Sequence, residues 1–175
     1  MAPRKNPRVV PTLRESLRGI DRLAVLGVGS ELRGDDFAGV RVAQRLIAWC
    51  KRAGISHLAA FEGCAAPENL TGAIASFHPS HVLLVDAAHL GIEPGEVRVI
   101  PADMVAGVSF STHMLPAPIV LDYLTRACGC KTLVVGIQPA QMDVCGPISP
   151  AVAKGIDAVV TAVQKWARAY EGVAN

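Results

Sequence analysis

The chain has 175 residues, which is enough for one domain with its own core. Hydrophobic residues make up 51% and charged residues only 18% of the chain, a composition that suits a buried parallel sheet covered by helices. The formal net charge of +2 gives no reason to expect a nucleic-acid partner, and no apolar run reaches the ~18 residues that a membrane helix needs.

The excess of positive charge is local. Five basic residues and only one acid fall within residues 1–20, and this start lacks the apolar segment of a secretory signal. We therefore predict a basic N-terminal extension over residues 1–21 and a single domain over residues 22–175. The sequence offers no internal repeat or linker that would divide this domain further.

The cysteines indicate a reducing compartment. Five is an odd number, and their spacing matches neither a disulfide framework nor a zinc knuckle. Most of them are expected to be reduced core residues of a cytoplasmic protein. They are Cys50, Cys64, Cys128, Cys130 and Cys145.

Along the chain, short apolar runs alternate with longer stretches of helical periodicity. The short runs predict strands at residues 22–28, 57–62, 81–88, 95–100 and 131–138. The longer stretches predict helices at residues 37–54, 67–77, 112–129 and 149–170. Gly54 is the expected stop of the first helix, while Ser149 and Pro150 are the expected N-cap and first residue of the last.

This order predicts an α/β fold. We expect a three-layer α/β/α sandwich with a mainly parallel, twisted sheet of about five strands. Residues 95–100 alternate between apolar and polar side chains, which is typical of an antiparallel or edge strand.

The loop after the first strand has two interpretations. Gly27 and Gly29 fit the first two positions of a dinucleotide-binding Gly-x-Gly-x-x-Gly turn, and Glu62 after the second strand fits the ribose-binding acid. The third glycine position holds Leu32, however, and two aspartates, Asp35 and Asp36, would repel a phosphate at the helix start. Acids at a helix start often only cap it, and Asp35 is the better candidate for that role.

Two further side chains share the predicted edge with Asp36. Asp86 ends the third strand, and His113 lies where a later loop enters a helix. Taken singly, each is as well explained by a capped turn or a surface histidine. Together they place two carboxylates and one imidazole at the carboxyl edge of a parallel sheet, where open α/β sheets bind ligands, and such a set leaves coordination positions open on a metal.

At these residues the sequence resembles the maturation endopeptidases of nickel-iron hydrogenases. The shared segments run from about residue 22 to the end of the last helix, in the same order and spacing: "GVGSELRGDDFAGVRV", "EGCAAPEN", "LLVDAAHLG", "STHMLP" and "VVGIQP". The second and fourth are most similar to the HycI-type subgroup, which processes the hydrogenase of formate hydrogenlyase and related membrane-bound hydrogenases. The chain departs from the family pattern at Ser30, where asparagine is common, and at Cys64, where a second glycine is common.

The resemblance implies a specific activity. Members of this family remove a short C-terminal extension from the precursor of the hydrogenase large subunit after nickel has been inserted. It assigns contact with that nickel to Asp36, Asp86 and His113. The alternative role for one of the two carboxylates is that of the general base. We also expect Gly63, Cys64, Ala65 and Ala66 to border the substrate channel, where they could offer backbone amides.

On this basis nickel is expected to arrive with the substrate, and no organic cofactor, nucleic acid or membrane insertion is expected. The protein is expected to be a monomer or a weak dimer. Two other classes stay open from the residues alone: a nucleotide-binding Rossmann-like protein, and a hydrogenase assembly factor without catalytic activity.

Overall fold

The structure is a computed structural model that describes residues 11–64, 66–101, 103–110 and 117–170. Its centre is a mixed sheet with the strand order β2-β1-β3-β6-β4, and a short β5 pairs with β3 outside this path. The strands are β1 (Leu23–Val28), β2 (Leu58–Cys64), β3 (His81–His89), β4 (Val97–Ile100), β5 (Ser109–Phe110) and β6 (Lys131–Ile137). The helices are α1 (Leu13–Ser16), α2 (Ala38–Ala53), α3 (Thr71–Phe77), α4 (Ala117–Cys128) and α5 (Pro150–Ala169).

The sheet is mostly parallel, as the sequence predicts. β1 pairs in parallel with β2 and β3, and β3 pairs in parallel with β6. β4 runs antiparallel to β6 at one edge, which confirms the prediction for residues 95–100. The additional strand, β5, pairs antiparallel with the end of β3. It was not predicted, because two residues are too short to show a periodic pattern.

Helices cover both faces of the sheet, and the strand residues alternate between them. Leu23 and Val25 of β1 belong to one buried cluster, with residues of α2 and α5. Ala24 and Leu26 of the same strand belong to a second cluster, with residues of α3 and α4. Successive side chains of a strand point to opposite faces, so a strand that is apolar throughout is buried on both sides. This arrangement confirms the three-layer α/β/α architecture.

The predicted helix boundaries follow ordinary capping chemistry. α2 is followed by Gly54 in the left-handed conformation, with φ of 65°. Ser149 is the N-cap of α5, where its hydroxyl accepts a hydrogen bond from the Val152 N–H at 3.3 Å, and Pro150 is the first helical residue.

Part of the basic start packs against the domain. Thr12 and Glu15 form a capping box at α1, and Leu17 and Ile20 are buried in the cluster shared by α2 and α5. The boundary between residues 21 and 22 stays a prediction, but these two side chains belong to the core. In the described part of the chain, no helix combines the length and hydrophobicity needed to cross a bilayer.

Candidate active site

The carboxyl edge of the parallel strands holds the candidate residues that the structure describes. β1 ends at Val28, level with Cys64 at the end of β2. β3 continues beyond the end of β1, because Gly27 is in register with Val85 and β3 extends to His89. Asp86 therefore does not end its strand, as the sequence suggested, but lies level with the end of β1. This edge is where open α/β sheets bind their ligands.

Asp36 reaches this edge on a short 3₁₀ turn, Gly34–Phe37, between β1 and α2. The turn packs against β3, the strand that carries Asp86. A Cβ on Gly29, whose φ is +134°, would collide with the carbonyl oxygen of Asp36, so the glycine allows the turn to fold back tightly over the end of β1.

Asp36 carries the clearest sign of a ligand. Its exposure is only 2%, and within the described residues its Oδ1 atom has no hydrogen-bond partner. Burying a carboxylate oxygen without a partner is costly, and native proteins rarely leave such an atom unsatisfied. A cation or a proton donor supplied by a bound molecule would remove this cost.

Asp86 is buried to the same degree, with 1% exposure. The fold therefore places both predicted carboxylates inside one end of the sheet, on elements that touch each other. His113 and Ala65 lie outside the described residues. Among the residues that are described, no three His, Cys, Asp or Glu side chains form a group that could hold a metal ion.

Asp35 has a different role from its neighbour. Its carboxylate accepts four hydrogen bonds, from the N–H groups of Ala140, Gln141 and Ser149 and from the Ser149 hydroxyl, at 2.6 to 3.0 Å. The prediction that Asp35 caps its own helix was wrong. Its side chain instead joins the first loop to the segment that connects β6 with α5, and no local sequence signal could have shown partners more than a hundred residues away.

The segment 138–149 forms a wall beside the Asp36 turn. The Asp35 N–H donates to the Gln141 carbonyl at 3.2 Å, and the Cys145 N–H donates to the Leu32 carbonyl at 2.7 Å. Sequence reasoning assigned no function to this segment. Its backbone bonds show that it and the loop after β1 are one structural unit.

The end of β2 forms another border of the site. Gly63 is buried, and Cys64 is exposed with a φ of 47°, a conformation that favours glycine. The Cys64 carbonyl accepts a hydrogen bond from the Gly29 N–H at 3.1 Å, while the Ala66 N–H donates to the Gly63 carbonyl at 3.1 Å. The Ala66 amide is thus already used within the turn.

The cysteines differ from expectation in their burial. All five are free thiols, but only Cys130 is buried, and Cys64 and Cys145 are exposed in the loops at the carboxyl edge. Burial raises the pKa of the Cys64 thiol, and the nearby carboxylates of Glu62 and Glu31 raise the pKa further. This thiol is therefore protonated at neutral pH, which does not suit a nucleophile.

The dinucleotide interpretation loses its support. Leu32, at the third glycine position, is 62% exposed and does not lie between helix and sheet. The close packing depends on Gly39 instead, because a Cβ there would collide with the carbonyl oxygens of Val85 and Val28. Glu62 is exposed, and its Oε2 atom accepts a hydrogen bond from the Gln44 amide at 2.9 Å.

Fold and site together define an α/β protein whose carboxyl edge presents buried carboxylates rather than a phosphate-binding loop. The profile of the HycI hydrogenase maturation protease family matches residues 40–166. The hydrogenase 3 maturation protease of Escherichia coli K12 is 31% identical over 143 residues, covering 81% of this chain and 88% of that protein. The chain therefore belongs to the hydrogenase maturation protease family, whose members are peptidases.

Solved structures agree with this assignment. The crystal structure of the NiFe hydrogenase maturation protease HycI from Thermococcus kodakarensis superposes with a TM-score of 0.79 at 29% identity, covering 89% of this chain and 98% of that one. The solution structure of the endopeptidase HycI from Escherichia coli gives 0.70 at 30% identity, covering 83% and 90%. The shared fold extends over nearly the whole chain.

Proposed function

We propose that this protein removes a C-terminal extension from the nickel-loaded precursor of a nickel-iron hydrogenase large subunit. The observation that carries the proposal is the buried Oδ1 atom of Asp36, which has no partner among the described residues and lies at the ligand-binding edge of a hydrogenase maturation protease fold. An ion carried by the substrate would supply the missing partner.

The donor set suits nickel as a part of the substrate. Carboxylate oxygen and imidazole nitrogen both bind divalent nickel, and Asp36 and Asp86 supply two such oxygens from touching elements. His113 would supply the nitrogen, an assignment that depends on the sequence because this residue lies outside the described range. We propose that these three side chains complete the shell of a nickel ion held mainly by the precursor's own cysteines.

In peptide-bond hydrolysis, a water oxygen attacks the carbonyl carbon, the carbon–nitrogen bond breaks, and a proton reaches the departing amine. Bound nickel can polarise the carbonyl or the water. Asp36 or Asp86 can take the proton from the water if it is not occupied by the ion. The buried position of both carboxylates excludes bulk water, which strengthens their electrostatic effect on the reacting groups.

The test is to incubate the protein with a nickel-loaded large-subunit precursor and to follow cleavage by the precursor's mass. Asp36→Asn and His113→Ala should lower the cleavage rate at least about 100-fold without unfolding the protein. Asp122→Asn is the matched control, because this aspartate is exposed on α4 and, in the described structure, forms an ion pair with Arg126 one helical turn away. This variant should cleave like the wild type. Precursor without nickel should stay uncut.

Rapid cleavage by Asp36→Asn would refute the assigned role of this carboxylate. A wild-type protein that binds the loaded precursor without ever shortening it would instead be an assembly factor. The cytoplasmic location and the monomeric or weakly dimeric state stay predictions.

A further inference from the structure

Two large apolar side chains are exposed on the loops that flank the Asp36 turn. Leu32 is 62% exposed and Val144 is 75% exposed. Single exposed apolar residues are common on protein surfaces and need no explanation by themselves. These two differ because their backbone segments are hydrogen-bonded to each other next to the site.

The backbone beneath both side chains is held in place. The Cys145 N–H donates to the Leu32 carbonyl at 2.7 Å, and the Leu32 N–H donates to the Ser30 hydroxyl at 3.3 Å. The four hydrogen bonds of the Asp35 carboxylate also join the loop after β1 to the wall segment 138–149. Cys145 itself has a φ of 60°, a conformation that costs free energy in a residue with a side chain and that often occurs at functional sites.

A fixed backbone keeps Leu32 and Val144 in water. The loops cannot fold inward to bury these side chains without breaking the hydrogen bonds to Asp35, which is fully buried. Exposed apolar side chains on backbone segments that are bonded to each other favour a partner that covers them, because burial of apolar area is the main favourable contribution to such contacts.

We propose that Leu32 and Val144 form a docking surface for apolar side chains of the hydrogenase precursor, beside the peptide bond that is cut. This inference rests on the proposed function. The occupant is the substrate because both residues belong to the hydrogen-bonded unit that carries Asp36. Leu32 lies four residues before Asp36 in the same loop, and Val144 lies in the wall segment that Asp35 binds.

The experiment measures binding directly, so that its result does not depend on cleavage. Nickel-loaded precursor is titrated by calorimetry into the wild type and into the double variant Leu32→Ser, Val144→Ser. The temperature is low enough that mass spectrometry detects no cleavage during the titration. The variant should bind at least about tenfold more weakly, because two apolar side chains lose their contact area. In the cleavage assay its KM should rise while kcat changes little.

Ile47→Ser is the matched control. Ile47 is a large apolar residue that is 38% exposed on α2, about 14 Å along the helix from its start at the site. This variant should bind the precursor like the wild type. Thermal unfolding of all three proteins checks that no variant is partly unfolded.

Several results would overturn the proposal. One is equal affinity of the double variant and the wild type, another is no binding by the wild type, and a third is a loss of kcat alone. If analytical ultracentrifugation shows that the wild type is a dimer and that the double variant is a monomer, the surface binds a second copy of this chain instead. A wild type that binds the precursor but does not cut it would disprove the proposed function, while the affinities would still decide the docking surface.

Discussion

At the scale of single residues, two adjacent aspartates perform opposite tasks. Both oxygens of Asp35 accept hydrogen bonds, whereas Oδ1 of Asp36 has no partner in the described part of the chain. Hydrogen bonds to a buried carboxylate stabilise the fold, while an unsatisfied carboxylate oxygen destabilises it. One turn therefore holds a stabilising carboxylate next to the carboxylate that we propose as a ligand of the substrate's nickel.

This difference predicts that the same substitution changes the free energy of unfolding very differently at the two positions. Asp35→Asn should lower the free energy of unfolding by about 2–3 kcal/mol, because an amide nitrogen must then face a backbone N–H. Asp36→Asn should change it by less than about 1 kcal/mol, or stabilise the fold, because a buried charge without full compensation is removed. Urea unfolding monitored by circular dichroism measures both, and equal losses for the two variants would contradict the assignment.

The sequence predicted a structural role for Asp35 and a ligand role for Asp36, but it assigned the wrong hydrogen-bond partners to Asp35. It favoured Asp35 as the cap of the following helix, because acids at a helix start commonly have that role. The structure shows a cap-like set of hydrogen bonds made to a distant segment instead. Local rules cannot predict such contacts, since Ser149 is separated from Asp35 by most of the chain.

At the scale of elements, long apolar segments were predictable and short or polar ones were not. β1, β3 and β6 match their predicted ranges to within about a residue, because they are buried on both faces. α1 and β5 have four and two residues and show no periodicity. The Gly-x-Gly-x-x-Gly pattern also expects the glycine that lets the helix approach the sheet at position 32. In the structure Gly39 has this role and allows α2 to approach β1 and β3.

The start of β3 gives the fold a pH dependence. Burial lowers the pKa of His81 below the ordinary value of 6.5, and Lys131, which is in register with it on β6, lowers the pKa further. Well above pH 6.5 the imidazole is neutral in both folded and unfolded chains, so its contribution to stability is complete. As the pH falls below this value, the unfolded chain takes up the proton first and the stability falls.

Replacing His81 with glutamine should remove this dependence. Between pH 8 and pH 5, the melting temperature of the wild type should fall further than that of His81→Gln. Differential scanning calorimetry at the two pH values measures the difference. A histidine that is equally exposed when folded and unfolded would give parallel losses in the two proteins, contrary to this expectation.

At the scale of the whole molecule, the topology brings together residues that are far apart in the sequence. Asp36 and Asp86 are 50 residues apart in the chain, yet β1 and β3 are parallel neighbours and bring them to the same end of the sheet. This convergence was predictable, because β-α-β units place the carboxyl ends of the parallel strands at one edge of the sheet. The wall over residues 138–149 was not, since its place depends on the hydrogen bonds to Asp35.

The central claim is that carboxylates of this protein bind the nickel of its substrate. Nickel K-edge X-ray absorption of the loaded precursor, alone and freeze-quenched with the protein before cleavage, tests it most directly. We predict that oxygen or nitrogen ligands are added to the nickel when the wild type binds, and that Asp36→Asn reduces this gain. A nickel shell that stays the same at full binding of the wild type would contradict the claim.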